Sequence, residues 1–391
     1  INNNTVLKNM KHNRTFIKIF VIIVSIMFSA FLFLLIDFIY SNYFSIDRHV
    51  EEYKVPVSNG FYELKKKHSG LARWGDNLYL VKTDNNGFRV DESSNNREKK
   101  AEYIFLGDSF TFGVHNPYIE TFVGLFDKSS NSKVLNAGVP SYSPAGYLYE
   151  YNRALELGVL EQKHTVIVGV DISDVQDEAS YWQDGDKHPI NSRNKIRKEF
   201  FSKNPADKDA FKEFRRKNFK LTRRISRFIR DSLRLARGLN STESARDAFE
   251  TNRSAFTWKN WDELDKYSDS AFLSHDSYYP LGVQGGLDRI SSKLSSIANL
   301  AANNNANLYL LIYPWPAQIK YNQKFKWSEY INSICQEIMC NGVINAQSRF
   351  VEYADNHSDS WYKDLFVYGD THYNINGNQL VFDELYESLL K

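Results

Sequence analysis

Beyond residue 100, short apolar runs alternate with amphipathic segments. The runs have the length and composition of buried parallel strands, and they are YIFL (103–106), KVLN (133–136), TVIVGVDI (165–172), LYLLIY (308–313) and GVIN (342–345). Apolar residues at helical spacing lie between most of them, for example in PAGYLYEYNRALEL and GGLDRISSKLSSIANLAANN. The alternation predicts an α/β domain with a parallel sheet of about five strands, covered by helices on both faces.

One apolar run, residues 19–36, is much longer than the others and contains no charge. As a helix it would span ~27 Å, about the thickness of one hydrocarbon core. It is apolar on every face and no small-x-small cleavage site follows it, which favours an uncleaved membrane anchor over a signal peptide or a buried helix. Basic residues precede the run and Asp37 follows it. The positive-inside rule therefore predicts a cytoplasmic N-terminus and a periplasmic or extracellular remainder.

The chain divides into four predicted regions. They are a cytoplasmic N-terminus (1–18), a transmembrane anchor (19–40), a connector with an extended segment that turns at DNNG (41–100), and the α/β domain (101–391). About 135 residues separate the third and fourth apolar runs, far more than one crossover helix requires. We therefore expect a helical insertion at about 185–285.

The insertion contains a strongly basic stretch, Lys212 to Arg237, with eleven basic and two acidic side chains. Its apolar residues recur at helical spacing, which predicts an amphipathic helix. Such a helix can pack its apolar stripe on the domain and leave its basic face in water, or it can bind an anionic membrane surface or an anionic polymer. Nucleic acid is disfavoured, because the predicted compartment argues against it and no recognisable binding module accompanies the helix.

Composition adds little to this picture. The chain has 49 basic and 47 acidic side chains, so its net charge of +2 gives no global reason to expect nucleic acid as a partner. The two cysteines, Cys335 and Cys340, can form a disulfide in an exported domain or remain as buried thiols. A zinc site is disfavoured, because no histidine or second cysteine pair accompanies them.

Candidate chemistry begins at the first predicted strand, which ends in Gly-Asp-Ser. Ser109 follows this strand, at the edge where open α/β sheets place their ligands. A serine hydroxyl is a weak nucleophile at neutral pH and needs a base within hydrogen-bond reach, itself oriented by a third group. Asp370 and His372 lie on a loop immediately before the last predicted helix and can supply both.

This combination resembles the SGNH/GDSL hydrolase superfamily. The strings FLGDSFTFG, VLNAGVPSYSPAGY, GDTHYNINGN and NGFR are similar to those of its membrane-anchored, extracytoplasmic members. The resemblance implies a three-layer α/β/α fold with flavodoxin-like strand order, Ser109 as nucleophile, His372 as general base and then acid, and Asp370 as the residue that orients the imidazole. Asp370 precedes His372 by two positions, whereas many members have three; some polysaccharide O-acetyltransferases of the superfamily share the shorter spacing.

The resemblance also implies an oxyanion hole, the set of donors that stabilises the developing negative charge. Its members are the N–H of Ser109, the N–H of Ser141 in the second block, and a side chain in the third block. Ser173 stands where the third block usually has asparagine, and its hydroxyl can donate one hydrogen bond. Gln176 is a further candidate, and Asp171 cannot donate when it is ionised.

We therefore expect a serine-dependent ester hydrolase that acts outside the cytoplasm through an acyl-enzyme, on acylated glycans or other envelope esters. The alternatives are an O-acyltransferase that modifies an exported polysaccharide and a non-catalytic envelope binding or assembly protein. Triad chemistry requires no metal and no organic cofactor.

Other residues offer competing assignments. His115 is an alternative base or a pocket-lining residue, and His357 lies in a stretch typical of a solvated loop. The carboxylates around Asp174 and Asp177 could serve glycoside hydrolysis or bind a cation, although a polar rim of the site is the simpler interpretation. Aromatic candidates for a sugar-binding cleft are Tyr142, Tyr181 and Trp182.

Overall fold

The computed structural model describes residues 3–45, 50–58, 60–75, 77–91, 100–185, 188–191, 214–215, 218–236, 278, 280–320 and 325–391. The chain falls into two compact units, each of which is described by itself. The smaller unit comprises Ile1–His49 and Lys203–Thr242, and the larger comprises Val50–Ser202 and Glu243–Lys391.

The larger unit begins with two antiparallel hairpins. Their strands are β1 (Lys54–Ser58), β2 (Phe61–Leu64), β3 (Ser69–Trp74) and β4 (Asn77–Lys82), paired as β1 with β2 and β3 with β4. The predicted turn at DNNG is present, with the Asp84 carboxylate accepting hydrogen bonds from the N–H groups of Asn86 and Phe88. Phe61 and Tyr79 are buried in the same core as the main sheet. Much of the predicted connector therefore folds onto the α/β domain.

The main sheet has five parallel strands. They are β5 (Ala101–Gly107), β6 (Val134–Gly138), β7 (Leu160–Val170), β10 (Asn307–Ile312) and β11 (Gly342–Asn345). A separate short pair, β8 (Trp182–Gln183) and β9 (Ile190–Asn191), lies between β7 and β10 in the chain. The spatial order of the five main strands is β11-β10-β7-β5-β6. Numbered within this sheet, the order is 2-1-3-4-5, that of flavodoxin-like folds. The sheet confirms the predicted fold class.

Helices cover both faces of the sheet. They are α1 (Ser109–Phe112), α2 (Phe122–Ser129), α3 (Pro144–Glu156), α4 (Ser173–Ser180), α5 (Gly282–Asn303), α6 (Pro316–Lys320), α7 (Trp327–Glu337), α8 (Gln347–Asn356), α9 (Trp361–Leu365) and α10 (Ile375–Leu389). Successive side chains of a strand point to opposite faces. On β5, Ile104 and Leu106 belong to one buried cluster with α3, α4, α5 and α7, whereas Phe105 belongs to the other with α2, α8 and α10. The result is the predicted three-layer α/β/α arrangement.

Two details of the larger unit bear on the sequence analysis. The third apolar run was expected to be a strand through residue 172, but β7 ends at Val170, which leaves Asp171 just beyond the strand. Cys335 and Cys340 are joined in a disulfide at the end of α7, so of the two alternatives for these cysteines the structure has the bridge.

The smaller unit contains a long helix, Asn3–Ile39, called here the anchor helix. It continues as a short π-helical turn, Tyr40–Phe44. The segment Ile17–Phe44 has a mean hydropathy of 3.1 in its most apolar part and is long enough to cross a membrane. By length and composition it could be an anchor or a signal sequence.

The second helix of the smaller unit, Lys220–Ala236, is called here the basic helix. It covers most of the amphipathic stretch predicted at 212–237; residues 212–213, 216–217 and 237 lie outside the described residues. Much of the predicted insertion at about 185–285 also lies outside them.

Candidate active site

Ser109 lies at the carboxyl edge of the main sheet, two residues beyond the end of β5. It is the first residue of the short helix α1 and is buried. Asp108 caps this helix, because its carboxylate accepts a hydrogen bond of 2.9 Å from the N–H of Phe110. The carboxylate also accepts one of 3.1 Å from the hydroxyl of Tyr313. The Gly-Asp-Ser sequence thus turns the chain from strand to helix and fixes the serine at the turn.

Glycines at the strand ends let α1 lie directly on the sheet. Gly107 and Gly138 are register partners on β5 and β6. A Cβ atom on Gly138 would lie 2.5 Å from the backbone nitrogen of Phe112, and one on Gly107 would collide with the side chain of Thr111. Real Cβ atoms do not approach that closely, so any other residue at either position would push α1 away from the sheet.

Ser109, His372 and Asp370 form a continuous chain of hydrogen-bond contacts. The Nε2 atom of His372 lies 2.8 Å from the Oγ atom of Ser109. The Nδ1 atom of His372 lies 2.5 Å from Oδ1 of Asp370. These distances are those required between a nucleophile, its base and the group that orients the base. The structure therefore brings together the three residues that the sequence analysis grouped.

The loop that carries Asp370 and His372 is fixed by the start of α10. Asn374 caps that helix, and its side chain accepts hydrogen bonds from the N–H groups of Asn376 and Gly377. The hydroxyl of Tyr362 donates to the backbone carbonyl of Asp370 at 2.9 Å. Both contacts restrict the loop that holds His372 against Ser109.

The charges of the pair shift both pKa values. Burial disfavours the charged ring of His372, but the charge and hydrogen bond of Asp370, together with the charges of Asp108 and Asp171, raise the pKa of His372 above its usual value. For Asp370, burial works in the opposite direction, and the charge of His372 with hydrogen bonds from His115 and His372 nevertheless lowers its pKa. The pair therefore favours an ionised Asp370 beside an imidazole that readily accepts a proton.

A second histidine, His115, contacts the same carboxylate. Its Nε2 atom lies 3.3 Å from Oδ2 of Asp370, and its side chain is only 3% exposed. Its backbone is left-handed, with φ of 72°, a conformation that a residue with a side chain seldom adopts without a structural reason. From sequence, His115 can be an alternative base or a pocket-lining residue; in the structure it lies against the carboxylate of Asp370.

Arg89 stabilises the segment between Ser109 and Asn116 by hydrogen bonds to its backbone. It is buried, and its guanidinium donates to the backbone carbonyls of Phe112, Gly113 and Asn116. Burial lowers the pKa of Arg89 to about 10. Arg89 belongs to the NGFR string upstream of the domain; that string indicated a family resemblance but not this contact.

Three buried carboxyl groups lie near the triad, those of Asp108, Asp171 and Asp174. Burial and the charge of Asp171 raise the pKa of Asp108 to about 7. Burial also raises the pKa of Asp171, against hydrogen bonds from Ser173 and Trp315 that lower it. Burial and the neighbouring carboxylates raise the pKa of Asp174 well above its usual value. Burial therefore favours the neutral form of all three carboxyl groups.

The candidate oxyanion donors differ in backbone conformation and in hydrogen bonding. The backbone of Ser141 is left-handed, with φ of 68°. The hydroxyl of Ser173 donates to Oδ1 of Asp171 at 2.6 Å, and its N–H donates to the same atom. Among the hydrogen bonds of the described residues, none takes up the N–H of Ser109 or of Ser141, and none joins Ser141 or Ser173 to Ser109.

The site could also hold a metal ion. His115, Asp370 and His372 place one ligand atom each within 4.8 Å of one another. An ion bound there would compete with the hydrogen bond between Asp370 and His372, so these residues fit triad chemistry and metal binding in mutually exclusive ways.

The remaining sequence candidates have contacts of their own outside the chain of Ser109, His372 and Asp370. Tyr142 and Trp182 pack against each other in the core, with ring centroids 5.4 Å apart, and do not line a cleft. His357 is exposed and stacks on Tyr353. Asp174 accepts a hydrogen bond from Tyr147, which gives this carboxylate a structural partner. Two aromatic rings contact His372: that of Phe110, with ring centroids 4.7 Å apart, and that of Trp74, edge-on at 5.3 Å.

Fold and site together define an α/β protein with a Ser–His–Asp hydrogen-bond chain at the carboxyl edge of its sheet. No family model and no curated protein matches the chain. Solved structures to which it is similar include an acetyl xylan esterase, at 12% identity and a TM-score of 0.39, with 73% of this chain and 98% of that chain covered. A lipolytic protein of the G-D-S-L family from Desulfitobacterium hafniense is similar at 14% identity and a TM-score of 0.37, with 74% of this chain and 100% of that chain covered.

A catalytic mutant of an acetylxylan esterase from Geobacillus stearothermophilus gives 10% identity and a TM-score of 0.37, with 74% of this chain and 94% of that chain covered. Identities and TM-scores this low assign neither an activity nor a substrate to this chain.

Proposed function

We propose that the chain is a membrane-anchored serine esterase of the SGNH/GDSL type. The observation that carries the proposal is the contact chain from Ser109 Oγ through His372 to Asp370, at 2.8 Å and 2.5 Å. An esterase needs this geometry, whereas a binding protein has no need to hold a serine hydroxyl against a buried imidazole.

The proposed reaction has two halves. Ser109 Oγ attacks the ester carbonyl carbon while its proton passes to Nε2 of His372. The carbon–oxygen bond to the leaving alcohol then breaks as His372 gives that proton to the departing oxygen, and an acyl-serine remains. In the second half, water attacks the acyl carbon and its proton passes to His372, which returns it to Ser109 as the acid leaves. Asp370 stabilises the imidazolium in both halves.

The proposed oxyanion donors are the N–H groups of Ser109 and Ser141, together with the hydroxyl of Ser173. The two N–H groups have no protein acceptor among the hydrogen bonds of the described residues, which is what a site for a developing oxyanion requires. The hydroxyl of Ser173 donates to Asp171, so it must rotate before it can donate to substrate.

The proposed location is extracytoplasmic, with the anchor helix as a single span and the N-terminus in the cytoplasm. The charge pattern around residues 19–36 supports this orientation. The natural substrates there are acylated glycans or other envelope esters. The half-buried indole of Trp74 beside His372 offers a surface of the kind on which a sugar ring packs.

A fluorophosphonate probe tests the proposal, because it labels only a serine that a base has activated. We expect the full chain in detergent to be labelled and Ser109→Ala to abolish labelling. Ser348→Ala is a matched control, because this serine is exposed and its hydroxyl only donates to the carbonyl of Asn345. An unlabelled wild-type protein with intact secondary structure, or labelling that survives Ser109→Ala, would reject the esterase and favour a binding or assembly protein.

An O-acyltransferase is the second candidate, supported by the Asp-x-His spacing of Asp370 and His372. In that case a sugar hydroxyl replaces water in the second half of the reaction. Release of acetate from p-nitrophenyl acetate should be compared with and without a glycan acceptor. Acetyl groups found on the glycan would establish transfer, and free acetate as sole product would establish hydrolysis.

A further inference from the structure

The basic helix has two chemically distinct faces. Leu221, Ile225, Phe228 and Ile229 follow the i, i+4, i+7, i+8 spacing of one apolar stripe. Three of these side chains are exposed in the folded chain: Ile225 by 45%, Phe228 by 72% and Ile229 by 50%. Leu233 is also exposed, by 53%. Among the described residues, the stripe is therefore largely exposed.

Nearly all charged residues of the basic helix are positive. Its 17 residues include Lys220 and the arginines at 223, 224, 227, 230 and 234, against a single acidic residue, Asp231. Arg223 and Arg224 are exposed. A helix with an uncovered apolar stripe and an arginine-rich polar face has the composition of one that lies in a membrane interface.

The start of the basic helix is fixed to the end of the anchor helix. The carboxylate of Asp37 accepts hydrogen bonds from the N–H of Leu221 at 2.9 Å and from the N–H and hydroxyl of Thr222 at 2.7 and 2.6 Å. The hydroxyl of Ser41 donates to Asp37 and accepts from the N–H of Lys220. Asp37 thus satisfies first-turn N–H groups that a helix cannot satisfy itself.

This joint sets the depth of the basic helix. Asp37 is the first charged residue after the apolar run 19–36. A carboxylate in that position marks the boundary between the hydrocarbon core and the headgroups. The basic helix therefore begins at headgroup level wherever the anchor helix spans a bilayer.

We infer that the basic helix lies along the surface of the same membrane that the anchor helix crosses, with its apolar stripe among the acyl chains and its arginines on anionic lipid phosphates. Arginine suits this partner because its planar guanidinium pairs with phosphate oxygens. This inference requires that the anchor helix spans a bilayer, but it is independent of whether the site is catalytic.

Spin-label accessibility in nanodiscs tests this placement. The native cysteines are joined in a disulfide, so Phe228→Cys or Arg223→Cys supplies the single thiol for a nitroxide on the full chain. In discs that contain phosphatidylglycerol, we expect position 228 to collide more with oxygen, which partitions into lipid, and position 223 more with a water-soluble nickel chelate. Greater nickel than oxygen accessibility at 228, or shielding from both reagents by protein, would overturn the inference.

Charge dependence provides a second readout. Replacing the anionic lipid by phosphatidylcholine, or combining Arg223→Gln with Arg224→Gln, should reduce the oxygen accessibility of position 228. Lys128→Gln with Lys163→Gln removes the same charge from two exposed positions of the larger unit. This control should leave the oxygen accessibility of position 228 unchanged. Equal accessibility at 228 in both lipids and both double variants would contradict binding to anionic lipid.

The joint itself is tested by Asp37→Asn, which keeps the size of the side chain but replaces one acceptor oxygen by a donor. We expect the oxygen accessibility of position 228 to fall in this variant, while turnover of a soluble ester, if wild type shows it, is retained. An unchanged spin-label profile in Asp37→Asn would show that the joint does not set the position of the helix.

Discussion

The Nε2 atom of His115 lies 3.3 Å from Oδ2 of Asp370, while the other oxygen of that carboxylate contacts Nδ1 of His372. One aspartate therefore faces two imidazole rings, whose centroids are 5.7 Å apart. Only His372 reaches the serine. We expect His115 to help position Asp370, because a ring beside the second carboxylate oxygen restricts rotation of the carboxylate away from His372.

His115→Phe should lower kcat about 10- to 100-fold with little change in KM, since a misdirected base costs about that much in rate. His115→Gln keeps a donor near Oδ2 and should recover part of the loss. Steady-state kinetics on p-nitrophenyl acetate provide the measurement. If both variants lose the same activity, His115 contributes only packing.

The pH dependence of kcat/KM should follow His372, which must be neutral to accept the proton of Ser109. The raised pKa of His372 means that the protonated, inactive form persists to higher pH, so the acid limb should lie above the ordinary value of 6.5. In Asp370→Asn the contribution of the Asp370 carboxylate, which raises the pKa of His372, is lost, so the acid limb should move to lower pH, while kcat should fall by up to ~10⁴-fold.

Asp108 titrates in the same range, since its pKa is raised to about 7. Asp108→Asn is therefore the control for the pH profile. A limb that persists in Asp108→Asn and moves in Asp370→Asn belongs to His372, and the reverse pattern would assign it to Asp108.

Arg89→Met should destabilise the fold by about 3 kcal/mol, because it leaves buried carbonyl groups without a donor. The affected carbonyls belong to Phe112, Gly113 and Asn116, so the turn that carries His115 should loosen and kcat should fall as well. Arg349→Met is the matched control: its ion pairs with Glu384 and Glu387 are partly exposed and are worth about 1 kcal/mol or less. Urea unfolding of both variants distinguishes the two cases.

In Gly138→Ala, the loss of transition-state stabilisation should exceed the loss in free energy of unfolding. The added methyl group would lie 2.5 Å from the backbone nitrogen of Phe112 and displace α1 together with Ser109. Gly342→Ala, at the start of β11, is the matched control. Its methyl group meets only the ring of Tyr309 at 3.4 Å, an ordinary contact. Equal rates in the two variants would show that α1 tolerates a shift.

Local sequence was sufficient for the elements and for the grouping of the triad. Apolar runs of strand length indicated the five strands, because a strand buried on both faces must be continuously apolar. The third predicted strand extended two residues too far, because Asp171 and Ile172 follow β7 without a turn signal of their own. The grouping of Ser109 with His372 and Asp370 depended on motif resemblance, which encodes their proximity indirectly.

The sequence by itself determined the α/β fold class, the long apolar segment at 19–36 and the basic amphipathic stretch, because periodicity is a local property of the chain. Short motifs grouped Ser109, His372 and Asp370 through a resemblance. Tertiary structure alone decided that His115 faces Asp370, that Arg89 holds the serine turn, that Tyr142 and Trp182 belong to the core, and that Asp37 caps a helix more than 180 positions away. Each of these contacts joins residues distant in sequence, and no local pattern carries information about which side chains the packing of the sheet and helices brings together.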